Sequence, residues 1–162
     1  MEVDTLFQVG DKVFYPMYGA GVIEAIEEKE IQGVTREYCM ITIPLSKMNV
    51  MIPMKNMEKM KIRSVVDTSE AKEILVELQG EEPHGALPWK ERLKRNTEKM
   101  KTGEMKDTAE VFHDLVYYQK EKALNSSEKH MLDLATKFLV SEIALVKDIS
   151  ENEAAHLLQL TS

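Results

Sequence analysis

The chain has 162 residues, 43% of them apolar and 30% charged, a balance that fits one ordinary globular domain or two small ones and excludes a wholly disordered chain. No apolar run approaches the roughly 18 to 20 residues that span a bilayer, and the opening Met1-Glu-Val-Asp-Thr5 lacks the basic-then-apolar form of a secretory leader. A single cysteine, Cys39, excludes an internal disulfide and a multi-cysteine zinc site, and points to a reducing, cytoplasmic setting. The net charge of −7 is unevenly placed: residues 89–106 carry seven basic side chains against three acidic, while 67–88 carry one against six. Because exposed charges are screened beyond about 8 to 10 Å, that basic segment is a local docking feature in an acidic protein.

The first sixty-odd residues read as strands over Lys12–Tyr15, Ala20–Ile26, Arg36–Ile43 and Lys47–Ile52, with turn signals at Gly10-Asp11, Pro16, Gly19-Ala-Gly21, Gly33 and Pro44. No helical period separates them, which predicts a small barrel or strongly bent sheet. Pro53 at the end of the last run suits an edge strand, open to pairing with a strand of another protein. Met48, Met51 and Met54 give that run either adaptable apolar surface or core filling. Cys39, between apolar neighbours inside a strand, reads as a buried, inert thiol.

The period then changes. Asp67-Thr-Ser-Glu70, Asp107-Thr-Ala-Glu110, Asn125-Ser-Ser-Glu128 and Ser150-Glu-Asn-Glu153 are four helix-start signatures. A fifth helix opens at Pro88 and ends at Gly103, and Gly80 closes the first. Apolar residues at Leu132, Ala135, Leu139, Ile143 and Val146 recur every three or four positions, so the helix after Ser126 is expected at the centre of an all-α bundle.

Enzymatic signatures are weak. The chain has no Gly-rich phosphate loop, no Gly-x-Ser-x-Gly and no His-Glu-x-x-His. Glu110-Val-Phe-His113 and Glu153-Ala-Ala-His156 have the spacing of bundle metal ligands, but on a helical wheel Glu110 and His113 fall opposite the apolar face of Val111 and Leu115, away from a core site. No cofactor and no small-molecule substrate are expected. The basic segment is more informative. On a wheel Trp89, Leu93, Asn96 and Met100 form one stripe, flanked by Arg92, Arg95 and Lys99 on one side and by Lys90, Lys94 and Lys101 on the other. Cations on both borders of an apolar ridge suit a groove with phosphates along each wall, and a rigid ring at the helix start suits a wedge between base steps. The plainer reading is a surface helix whose lysine stems cover the rim of a core.

Two stretches carry a family resemblance. Phe7-Gln-Val-Gly-Asp-Lys-Val-Phe-Tyr-Pro16, Tyr18-Gly-Ala-Gly21, Ile26, Ile31-Gln-Gly33, Tyr38, Val50-Met-Ile-Pro53 and Arg63 make the first. Pro88-Trp89, Asn96, Gly103, Ala109-Glu-Val111, Asp114-Leu115, Glu128-Lys129, Met131-Leu132 and Leu139-Val-Ser-Glu-Ile-Ala144 make the second. Together they resemble the CarD/CdnL family of bacterial transcription regulators over nearly the whole chain. The resemblance implies an α+β protein of two domains: a small Tudor/SH3-like β-barrel over residues 1–66 that binds the RNA polymerase β subunit, and an all-α five-helix domain over 67–162 that binds DNA. It implies no enzyme, but a non-sequence-specific factor that stabilises the promoter open complex near the upstream edge of the −10 region through minor-groove contact and a tryptophan wedge. The alternative is a polymerase adaptor without direct DNA contact. By the resemblance Trp89 is the wedge, Lys90, Arg92, Lys94 and Lys129 face DNA, and the wheel adds Arg95. Lys29, Ile31, Met51 and Pro53 fall on the polymerase side, and the implied location is cytoplasmic, on the nucleoid through polymerase. Two departures stand out: Met51 where some relatives carry arginine, and Lys61 where many carry glycine.

Overall fold

The computed structural model describes residues 7–79 and 87–160. Gly80, expected to close the first helix, and His84 lie outside them. The chain divides into two compact units, Met1–Val65 and Val66–Ser162, and each is taken by itself. The first is built on β-strands and the second on helices, an α+β arrangement of two domains.

In the first unit, strands β1 (Lys12–Tyr15), β2 (Gly19–Ile31), β3 (Val34–Ile43), β4 (Met48–Pro53) and β5 (Arg63–Ser64) form one antiparallel sheet in the order β4-β3-β2-β1-β5. The expected barrel is not closed: β4 and β5 stand at opposite ends of this order. Closure needs a last strand long enough to pair across the seam, and β5 has two residues. One face buries Val13, Ile23, Cys39, Ile41, Ile43 and Ile52, sealed by Met54, Met57 and Ile62. The Cys39 thiol lies 3.6 Å from the Met54 sulfur, and burial, with Glu37 adding to it, pushes its pKa up. Met54 therefore fills core while Met51 is exposed, so the three methionines divide between the two uses.

β2 and β3 run beyond their predicted limits. Gln32 and Gly33 both have positive φ (53° and 80°), the two-residue turn whose twist matches a hairpin. The extension escaped the sequence reading because every residue from 30 to 37 is exposed, so apolar and polar positions do not alternate there. A register shift between Ile23 and Ala25 marks a bulge at Glu24. Gly21 is buried where β2 crosses β3, and a Cβ there would collide with the Thr42 carbonyl oxygen. Lys61 takes the left-handed conformation (φ 61°), in the turn that returns the chain to bury Ile62. Arg63 stacks over Phe14 at 4.8 Å, which ties β5 to β1.

Among the described residues the second unit has the five expected helices: α1 (Thr68–Gln79), α2 (Trp89–Thr102), α3 (Met105–Glu121), α4 (Ser126–Lys147) and α5 (Glu151–Gln159). Three begin as their caps dictate. Asp67 accepts from the Glu70 N–H at 2.7 Å, Asn125 from the Glu128 N–H at 2.9 Å, and Ser150 and Glu153 make a reciprocal capping box. α3 differs: it starts at Met105, two residues ahead of the signature, because the Asp107 carboxylate accepts from the Thr102 hydroxyl at 2.7 Å, joining α3 to the end of α2. α4 packs against all four other helices, as its pattern predicts, with Ala135, Leu139 and Ile143 buried. It also buries polar groups that periodicity did not single out. Glu142, 1% exposed, accepts from the Val66 N–H at 2.9 Å and anchors the chain where it enters the unit. No helix among the described residues is long and apolar enough to cross a membrane.

Candidate functional site

α2 begins after Pro88, whose extended ψ of 147° lets the chain turn into the helix without offering a side-chain cap. Trp89 is thus the first helical residue, and its stripe runs inward along the helix. Met100 and Asn96 are buried, Leu93 is half-buried, and Trp89 remains 46% exposed. The ring overhangs the helical unit instead of filling it. Lys90 places its ammonium 5.8 Å from the ring centroid, and Lys94 and Lys129 are exposed.

The two arginines are placed differently from the lysines. Arg92, with 13% of its side chain exposed, makes a bidentate pair with Glu128: Nε donates to Oε2 at 2.7 Å and Nη2 to Oε1 at 2.9 Å. Its guanidinium lies 4.3 Å from the Tyr118 ring centroid. Hydrogen bonding to Glu128 raises the Arg92 pKa against a burial cost, with the charges of Glu128 and Asp114 also favouring the cation. Burial and Asp114 raise the Tyr118 phenol, opposed by Arg92 and Arg95, so that phenol is neutral at physiological pH. Arg95 is half-buried, and its Nε is enclosed with no acceptor among the described residues. Below them Asn96 donates to Asp114 at 3.0 Å, a buried polar link between α2 and α3. Asn96 is thus not a stripe residue that merely happens to be polar.

A groove of about 600 Å³ opens beside the indole, lined by Trp89, Arg92, Lys122 and the first turn of α4 from Asn125 to Glu128. Sequence reasoning missed Lys122, Tyr118 and the pairing role of Glu128. The available signal was the cap Asn125 just after Lys122, which sets a helix N-terminus and a cation side by side. Among the described residues no cluster of three or more histidine, cysteine or carboxylate side chains fits a metal. Glu110 pairs with Lys99 at 3.0 Å and Glu153 completes the α5 cap, so both carboxylates of the Glu-x-x-His pairs have structural partners.

In the β unit, the register sets Lys29, Ile31, Met51 and Pro53 on one face, spread along β3 from Val34 to Met40. Lys29 pairs across to Arg36, Ile31 to Val34, Met51 to Met40 and Pro53 to Tyr38, which puts all eight on the face opposite Cys39, Ile41 and Ile52. Ile31, Val34 and Met51 are exposed there at 42%, 46% and 39%. Lys29 contacts Glu27 on the same face at 3.3 Å. The other face of the hairpin tip carries Glu28, Glu30 and Glu37. One side is cationic and apolar, and the other is acidic.

The first unit is thus an open sheet with Lys29, Ile31 and Met51 on the face away from its core, and the second is a helical unit with an exposed indole beside Lys90. Comparison with known proteins identifies the family. Residues 7–66 match the family model described as the CarD-like/TRCF RID domain, and residues 73–159 that of the CarD C-terminal domain. Over 148 residues the chain is 49% identical to a Bacillus subtilis (strain 168) protein named "Putative transcription factor YdeB", covering 91% of this chain and 97% of that one. The chain belongs to the CarD/CdnL family of bacterial transcription regulators. That is a family of transcription factors and not of enzymes.

Proposed function

We propose that this protein is a promoter factor tethered to RNA polymerase, which binds the polymerase β subunit through its β unit and stabilises the open complex through its helical unit. The observation that carries the DNA half is the exposure of Trp89 at the start of α2, with Lys90, Lys94 and Lys129 as exposed cations. A ring inserted from the minor groove at the upstream fork of the bubble, near the −10 region, unstacks a base step at a cost of a few kcal/mol. Melted DNA has already met much of that cost, so the wedge favours the open over the closed state by its differential contact. A difference of about 1.4 kcal/mol shifts that ratio tenfold. Three lysines in an acidic protein bind DNA weakly and in a salt-sensitive way, and tethering makes the contact intramolecular, so little intrinsic affinity is needed.

The β unit is read as an opened variant of the Tudor/SH3-like domain. The face bearing Lys29, Ile31, Met51 and Pro53 suits a partner with apolar side chains and an acidic rim, and β4, a sheet edge, offers backbone pairing beside it. On this reading the protein works in the cytoplasm, on the nucleoid.

The test is Trp89→Ala with polymerase holoenzyme on a weak promoter. A shortened open-complex lifetime with unchanged polymerase capture supports the wedge. An unchanged lifetime with intact capture makes the protein an adaptor without DNA contact.

A further inference from the structure

Arg92, three residues past the indole, has the charge and position of a phosphate contact, yet all three of its nitrogens are engaged inside the helical unit. Nε and Nη2 hold the Glu128 carboxylate, and Nη1 donates to the Leu87 carbonyl at 3.3 Å. Tyr118 covers one guanidinium face. Glu128 is 1% exposed and is itself held by Asn125, whose side chain accepts from the Glu128 N–H and donates to Oε1 at 3.5 Å.

We infer that Arg92 and Glu128 form a clasp that sets the direction of the Trp89 ring, so that Arg92 is a positioning residue that acts through the indole and does not touch phosphate. Pro88 gives α2 no side-chain cap, none is found among the described residues, and an uncapped first turn frays. Trp89 lies between Leu87 and Arg92, so the clasp grips the chain on both sides of it and ties that turn to the first turn of α4. A rigid planar fork is needed for this, since a lysine ammonium cannot bond one carboxylate in two parallel contacts and a carbonyl as well. An indole held in one direction loses less freedom on entering DNA than one on a frayed turn. The clasp also explains why a charged group sits almost buried beside a surface meant for an anion: leaving it unpaired there is costly.

The inference rests on the DNA reading of α2, but its first readout needs no DNA. Trp89 is the sole tryptophan of the chain, so its fluorescence reports this site alone. The full-length protein is compared with Glu128→Gln, which keeps shape and removes charge, and Arg92→Lys, which keeps charge and removes the fork. All are measured at a temperature where circular dichroism shows them folded; should one variant not fold, the other carries the same readouts. Both are expected to raise acrylamide quenching of Trp89 and lower its anisotropy. Both are expected to shorten open-complex lifetime about fivefold, with the salt dependence of the DNA contact unchanged. If Arg92 instead contacts phosphate, Glu128→Gln frees it, and lifetime lengthens as the salt slope steepens by about one. That outcome, or Trp89 quenching unchanged in the folded variants, overturns the clasp. If Trp89→Ala leaves lifetime unchanged while Glu128→Gln still loosens the ring, the clasp stands and the DNA reading falls.

Discussion

The two surfaces of this protein are made by different means. In the β unit, backbone register assembles the face: Lys29, Ile31, Met51 and Pro53 come from two separate strands and share a side because each pairs with a β3 residue of one parity. In the helical unit, a contiguous segment supplies Trp89, Lys90 and Lys94, and the tertiary contribution is a buried ion pair that holds the segment's first turn. A register-built face fails all at once, since a one-residue slip turns every side chain over. A helix-built face fails residue by residue. The contrast also divides charge: the sheet face mixes cation and apolar groups, whereas the helical unit sets one cation, Lys90, beside one exposed ring.

Substitutions separate the two surfaces. Gly21→Ala attacks the register itself. Its Cβ collides with the Thr42 carbonyl, so the β unit is expected to lose about 2 to 3 kcal/mol in urea unfolding, while the helical unit keeps its own transition. Ile31→Asp with Met51→Asp leaves the register intact and alters only what the face presents. Polymerase capture is expected to fall about a hundredfold, with direct binding to DNA retained, as measured by pull-down and filter binding. Trp89→Ala is expected to cost about tenfold in open-complex lifetime and nothing in capture. Loss of both functions in either surface variant would mean that the two faces are not independent.

Smaller changes sharpen the β side. Lys61→Gly relieves a left-handed lysine and gives back part of the gain as chain entropy, so stability should rise by about 0.5 kcal/mol. Cys39 tests burial by pH. Its folded pKa is raised above the ordinary value of 9.0, so the neutral thiol's contribution is complete below pH 9.0 and is lost as pH rises toward the folded value. The urea midpoint should therefore decline above pH 9.0 in the native protein more than in Cys39→Ala. At pH 8 a thiol reagent should label Cys39 only on unfolding.

Much of the scaffold is legible along the chain. Asn125 and Ser150 cap the helices they announce, and Gly103 ends α2 in the left-handed conformation (φ 73°) that glycine favours. These signals act within one turn of helix, so adjacent residues suffice to encode them. Asp107 misled because its carboxylate serves Thr102, a neighbour with which the start signature does not reckon. The barrel expectation failed because closure depends on how long β5 becomes, and Arg63–Ser64 carries no apolar pattern from which to read that length.

The candidate surfaces divide along the same line. The run from Trp89 to Lys101 displays its ring and its cations in order, so the sequence alone determined that a basic helix with one aromatic exists. It could not determine that Arg92 turns inward, because that rests on Glu128, thirty-six positions away, taking the guanidinium. On the sheet, strict alternation from Ile23 would turn Lys29 and Ile31 toward the core, and the bulge at Glu24 reverses them. Local chemistry specifies which elements form, since it acts over a few bonds. Which side chains those elements leave for a partner is decided by pairings between distant positions, and these exist only once the chain has folded.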